Sequence, residues 1–168
     1  MMMSRLEISV SQKANTFGYE DLAEWFVSQL LKFSNLSIEE YIEYDLCSII
    51  EEGKTWEGCV SKNFTKPGDL LITFSRLFEM NLIDEEVFFE SHNLSDRVAL
   101  TIDTVYKLTG LDVTDYLRKT FTIDALIWNE DRHLNNLAVI YNDNSGFEIC
   151  PIFDNGRPFK GRLFDCIV

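Results

Sequence analysis

Apolar side chains recur at helical spacing from Gly18 to about Ser34, where Leu22, Trp25, Phe26, Leu30 and Phe33 fall on one stripe. Glu20, Asp21 and Glu24 gather at the start of that segment, where the positive end of a helix favours acids. After residue 40 the period changes. Tyr41 to Ile49 alternates apolar and polar positions, Trp56 to Phe64 is strand-like too, and the turn Glu52-Gly53-Lys54 between them predicts an antiparallel hairpin. Arg5 to Val10 reads as a further strand ahead of the helix. Thr65-Lys66-Pro67-Gly68-Asp69 is the clearest break in the chain. We place a boundary there, between a first domain over 1–64 and a second over 65–168.

Beyond the break the character becomes helical again. Phe74 to Phe78 is a short candidate. Ser95 as N-cap predicts a helix through Leu108, with Val98, Ile102 and Val105 as apolar positions and a stop at Thr109-Gly110. Asp112 as cap predicts another helix up to Asn129, carrying Tyr116, Leu117, Phe121, Leu126 and Ile127. Leu137 to Tyr141, the turn Asn142 to Gly146, and Phe147 to Cys150 form a second hairpin, with Pro151 marking an edge or strand end. The order helix, hairpin, break, helices, polar loop, hairpin is that of an α+β chain in two unequal parts.

At 168 residues with 46% hydrophobic side chains, the chain is long enough to bury one ordinary core. Its net charge of −13, fifteen basic residues against twenty-eight acidic, argues against a broad nucleic-acid or anionic-membrane face, since both need clustered Lys and Arg. A site handling phosphate in this field would need Mg²⁺ and local cations. No apolar run approaches the ~20 residues of a membrane-spanning helix. The N-terminus lacks the apolar run of a secretory signal, so the expected compartment is the cytoplasm. Cys47, Cys59, Cys150 and Cys166 contain no C-x-x-C pair, and His92 and His133 do not complete a metal-ligand spacing. The first three lie in apolar, strand-like runs and read as reduced core residues.

The chemistry concentrates in Asn129-Glu130-Asp131-Arg132-His133-Leu134-Asn135-Asn136, followed after the second hairpin by Pro151-Ile152-Phe153-Asp154-Asn155-Gly156. In the pattern D-x-x-x-x-N…D-x-G, Asp131 takes or orients the proton of a nucleophile. Asn136 and Asp154 are oxygen ligands suited to Mg²⁺, which takes hard donors and keeps several waters. Gly156 permits the sharp turn after Asp154. Each piece alone also reads as an ordinary helix end or turn; both together, with a hairpin between, point to phosphoryl transfer. His133 reads as a scaffold for the loop or as a satisfied imidazole, and Arg132 as a phosphate contact or a solvated cation. Ser61, Lys62, Asn63 and Phe64 end the second strand just before the break, where a two-lobed kinase has the hinge that meets adenine; Lys62 reads equally as a solvated strand end. No G-x-G-x-x-G or G-x-x-x-x-G-K-[ST] is present, so no phosphate-cradling loop can be named. The strand Lys of kinase folds is also missing, with Lys13 and Arg5 the nearby cations and Glu20 or Glu24 their conceivable partners.

The two motifs resemble the catalytic and metal-binding motifs of bacterial HipA-like kinases, and within these the CtkA-like branch. Gly18 to Glu24 and Gly58 to Phe64 are more weakly similar to the small-lobe helix and hinge strand. The resemblance implies a protein-kinase-like two-lobed fold, here incomplete, with a reduced small lobe and a partial helical large lobe. It implies ATP and Mg²⁺ as cofactors and transfer of the γ-phosphate to Ser or Thr of a protein substrate. Asp131 matches the catalytic Asp, and Asn136 and Asp154 match the metal ligands. The short stretches before the first helix and after Asp154 lead us to expect a fragment, a split kinase completed by a second chain, or an inactive pseudokinase that binds an antitoxin-like protein. D-R-H-x-x-N with D-x-G is also similar to phosphoinositide kinases, whose membrane-facing basic cluster is lacking here.

Overall fold

The computed structural model describes residues 6–9, 20–51, 53–83, 88 and 93–155. Among them are four α-helices and six strands in two small antiparallel sheets, an α+β chain. Arg5, Lys13, Gly18, Glu52, His92, Gly156 and Cys166 lie outside the described residues. The chain forms two compact units. One takes Met1–Phe64, Ile123–Asp131 and Pro151–Val168, the other Thr65–Thr122 and Arg132–Cys150. The first crossing falls at the Thr65 break, and two later segments return to the first unit. Among the described residues no helix is long and apolar enough to cross a membrane.

In the first unit, strands β1 (Leu6–Ser9), β2 (Tyr44–Glu51) and β3 (Lys54–Lys62) form a sheet in the order β1-β3-β2. The β2–β3 hairpin sets Leu46 opposite Cys59 and turns at Gly53, whose φ of +74° is readily adopted only by glycine. Helix α1 (Glu20–Leu31) packs on β2 and β3. Its buried face is Ala23, Glu24, Val27, Ser28 and Leu31, whereas Phe26 is 47% and Phe33 90% exposed. The expected stripe through Phe26 and Phe33 is therefore not the packed one. Small Ala23 and Ser28 let the helix backbone approach the sheet, and the Ser28 hydroxyl accepts the Tyr44 N–H at 3.2 Å. The segment after Pro151 is stitched to the entry of β2. Ile42 N–H donates to the Ile152 carbonyl at 2.9 Å, and Ile152 N–H donates to Glu40 at 2.8 Å.

In the second unit, β4 (Leu70–Thr73), β5 (Ala138–Asn142) and β6 (Gly146–Ile149) run in that order across the sheet. The β5–β6 pair is the expected hairpin, and β4 adds an edge the sequence pattern did not reveal. Thr73 ends β4 and caps α2 (Phe74–Met80), its hydroxyl accepting the Arg76 N–H at 3.2 Å. Helix α3 (Leu94–Thr109) is capped by Asn93 rather than Ser95: the Asn93 carbonyl oxygen accepts the Asp96 N–H at 3.0 Å, while its amide donates to the Asp96 carboxylate at 2.7 Å. Gly110 closes α3 in the left-handed region, at φ +76°. Asp112 precedes α4 (Thr114–Ile127) and accepts the Thr114 N–H at 2.9 Å. Phe74, Leu77, Phe78, Val105 and Val113 form the core, with the Phe74 ring tilted against Tyr116 and that of Phe78 edge-on to Phe88.

Candidate functional site

Asp131 is placed by the end of α4. Trp128 takes a left-handed conformation at φ +58°, and Asn129 N–H reaches back to the Asp124 carbonyl at 2.9 Å, the six-to-one bond of a Schellman ending. The Asn129 amide also donates to the Asp124 carboxylate at 2.9 Å, and the Asn129 side-chain oxygen accepts the Asp131 N–H at 3.2 Å. Buried Asp124 thus holds Asn129, and Asn129 holds the backbone of half-buried Asp131.

Asp154 lies in the same unit, exposed and left-handed at φ +53°. The bonds of Ile152 to Glu40 and Ile42 fix the chain just before it. The Phe153 ring stacks on Phe64 with centroids 6.4 Å apart, so the end of the proposed hinge segment meets the residue preceding Asp154. Burial pushes the Tyr44 phenol well above its ordinary range, helped by the Glu24 carboxylate and opposed by a hydrogen bond from the Asp154 backbone. The Cys59 thiol is pushed up to about 12, first by burial and then by Asp21 and Glu24, and it donates to the Asp21 carboxylate at 3.6 Å. Asp21 and Glu24 on α1, Tyr44 and Cys59 on the sheet, and the Asp154 backbone are therefore neighbours. Ser61 and Lys62 are the last paired residues of β3, Ser61 opposite Tyr44; the Lys62 side chain is exposed.

In the second unit, Leu134–Asn136 form a 3₁₀ turn with Leu134 and Asn136 buried. Asn136 N–H donates to the His133 carbonyl at 2.9 Å, and the Arg132 guanidinium donates to the Asn136 carbonyl at 3.3 Å. Phe74 N–H donates to Leu137 at 2.8 Å, seating the turn on α2. The His133 ring is exposed, and it is the backbone carbonyl of His133 that closes the turn.

Asp131, Asp154 and Ser61 to Phe64 thus belong to one unit, and His133, Asn136 and Arg132 to the other. Among the described residues no group of three or more His, Cys, Asp or Glu is arranged to hold a metal. A Mg²⁺–nucleotide site does not call for one: one or two protein oxygen ligands suffice beside phosphates and waters, and a carboxylate with an amide fits that donor chemistry. Sequence reasoning passed over Asp124 and Tyr44. The only signal for Asp124 is its position five residues before Asn129 at a helix end, and Tyr44 carried none beyond strand alternation. Comparison with protein-family models, curated proteins and solved structures returns no match for this chain.

Proposed function

We propose that this chain is an ATP- and Mg²⁺-dependent phosphotransferase of the HipA-like Ser/Thr protein kinase type. The observation that supports it best is that both acids of the motif sit where hydrogen bonds hold the backbone: Asp131 through Asn129, and Asp154 through its bond to Tyr44. Asp154 is in addition a left-handed non-glycine residue, a conformation that proteins tend to retain at functional positions.

In this reading Asp131 accepts a hydrogen bond from the Ser or Thr hydroxyl and takes its proton as the oxygen attacks the γ-phosphorus. The bond from that phosphorus to the bridging oxygen breaks, and ADP leaves with the electron pair. Asp154 and Asn136 are the metal ligands the motif implies, and Mg²⁺ when bound neutralises charge on the phosphates. Backbone groups of Ser61 to Asn63 and the Phe64 ring meet adenine. Thermal unfolding with ATP tests binding, since a ligand of the folded state raises the melting temperature. A Mg²⁺-dependent rise that Asp154→Ala removes is expected. Absence of any rise in the wild type would overturn the proposal. Transfer from labelled ATP, lost in Asp131→Asn, tests the chemistry.

A second reading is a non-catalytic module that binds another chain. It is favoured by two exposed aromatic side chains, Phe26 on α1 and Phe33 in the turn just after it. Binding of ATP without transfer by the wild type would select it.

A further inference from the structure

The second unit contains a groove of about 230 Å³ between the first half of α3, the middle of α4 and the loop from Arg132 to Leu137. We infer that it binds a small amphipathic carboxylate, with a short aliphatic chain or a single aromatic ring as its apolar body. This inference stands apart from nucleotide binding and does not depend on it.

Three observations converge. The walls are apolar: Val98 faces the groove from α3, Leu117 and Phe121 from α4, and Leu134 and Leu137 from the loop. Two of the large apolar side chains that line it stay in contact with water, Leu94 at 75% and Phe121 at 39% exposure, so a ligand would cover surface that the fold itself leaves wet. The groove also contains Arg97, Arg132 and His133. In a chain of net charge −13, the described residues that line this groove include two guanidinium groups and no carboxylate. Each guanidinium carries five N–H donors, so one that already has a partner, as Arg132 has in the Asn136 carbonyl, retains donors for a carboxylate fork.

Size and charge narrow the ligand further. The volume lies below the roughly 300–1,000 Å³ of clefts that hold drug-sized ligands, which suits one short chain or one ring rather than a nucleotide. A monoanion meets less repulsion from the acidic surface than a phosphate dianion does. Leu134 and Leu137 flank Asn136, so an occupied groove would stiffen the turn that carries it.

Calorimetric titration of the full chain, without nucleotide, tests this with octanoate, 3-phenylpropionate, 1-octanol and acetate. We expect at least one of the two amphipathic carboxylates to bind, octanoate marking a chain-shaped site and 3-phenylpropionate a ring-shaped one. Octanol and acetate should bind about tenfold or more weakly, the loss of a charge-assisted bond or of the apolar body. Arg97→Gln should weaken the carboxylate about tenfold and leave octanol unchanged. Val98→Trp, which fills the groove, should remove binding of all probes while the melting transition persists. Failure of both amphipathic carboxylates to bind wild type, octanol binding as tightly as octanoate, or full affinity in both variants would overturn the inference. Because ATP is absent throughout, none of these results bears on the phosphotransferase reading.

Discussion

Asn129 binds Asp124 twice, through its backbone N–H to the Asp124 carbonyl and through its side-chain amide to the carboxylate, each at 2.9 Å. The pair converts the end of a helix into a fixed point for Asp131. Asp124→Ala leaves the half-buried Asn129 amide without its acceptor and should cost about 1 kcal/mol in urea unfolding. Asp124→Asn keeps an acceptor oxygen in place and should cost less than half as much. Equal losses in the two variants would show that the carboxylate oxygen is not the partner that matters.

Trp128 holds a left-handed conformation that disfavours side chains with a Cβ, and its indole is largely exposed. Trp128→Gly should therefore raise stability by about 1 kcal/mol, read as a higher urea midpoint with an unchanged slope. A lower midpoint would mean that the indole contributes packing that outweighs the strain.

Phe64 and Phe153 stack with an interplanar angle of 27°. A double-mutant cycle with Phe64→Leu and Phe153→Leu should give a coupling of about 0.5–1.5 kcal/mol. The coupling should persist in the absence of ATP, because the rings meet in the protein alone; additivity would show that the stack carries no energy of its own.

Burial holds Cys59 and Cys150 protonated, both thiols being pushed up to about 12. They should resist alkylation in the folded protein at pH 8 and react at once in denaturant, as mass spectrometry of iodoacetamide adducts will report. The raised folded-state value also sets the direction of a stability effect. The contribution of these thiols is complete below the unfolded pKa of about 8.5 and is lost as pH rises toward 12. Cys59→Ala should flatten that alkaline decline; an unchanged slope between pH 9 and 11, again relative to the unfolded value of about 8.5, would assign it to other groups.

The hairpins were legible because alternation on either side of a glycine turn marks two strands that pair, as at Gly53 between β2 and β3; the register, with Lys54 paired to Glu51, was not. The helices from Phe74, to Thr109 and to Ile127 were legible from their period and stops. The packed face of α1 was not. Counting apolar residues selects Phe26 and Phe33, whereas close approach to the sheet selects Ala23 and Ser28. The cap of α3 went to Asn93, whose side chain bonds both the backbone N–H and the carboxylate of Asp96. Strand β4 spans Leu70–Thr73 and exists because β5 supplies a partner, information that no local window holds. The motif acids were legible by residue type and spacing. Of the bonds that fix them, that from Asn129 to Asp124 is local to a helix end, whereas those joining Ile152 to Glu40 and Ile42 link positions whose meeting depends on the folded chain.

The parallel bridge between Tyr41 and Ile152 implies an order of assembly. Helix α1 and the β2–β3 hairpin leave the ribosome long before Ile152 does, so the first unit waits for its last piece while the whole of the second is synthesised. Closing so wide a loop carries an entropic penalty that grows only as about (3/2)RT ln n, but it slows the search for native pairing. Severing the chain at Pro67-Gly68 would accordingly yield a leading half that still lacks the segment bearing Asp154, and two separately purified halves would regain that register only on being mixed.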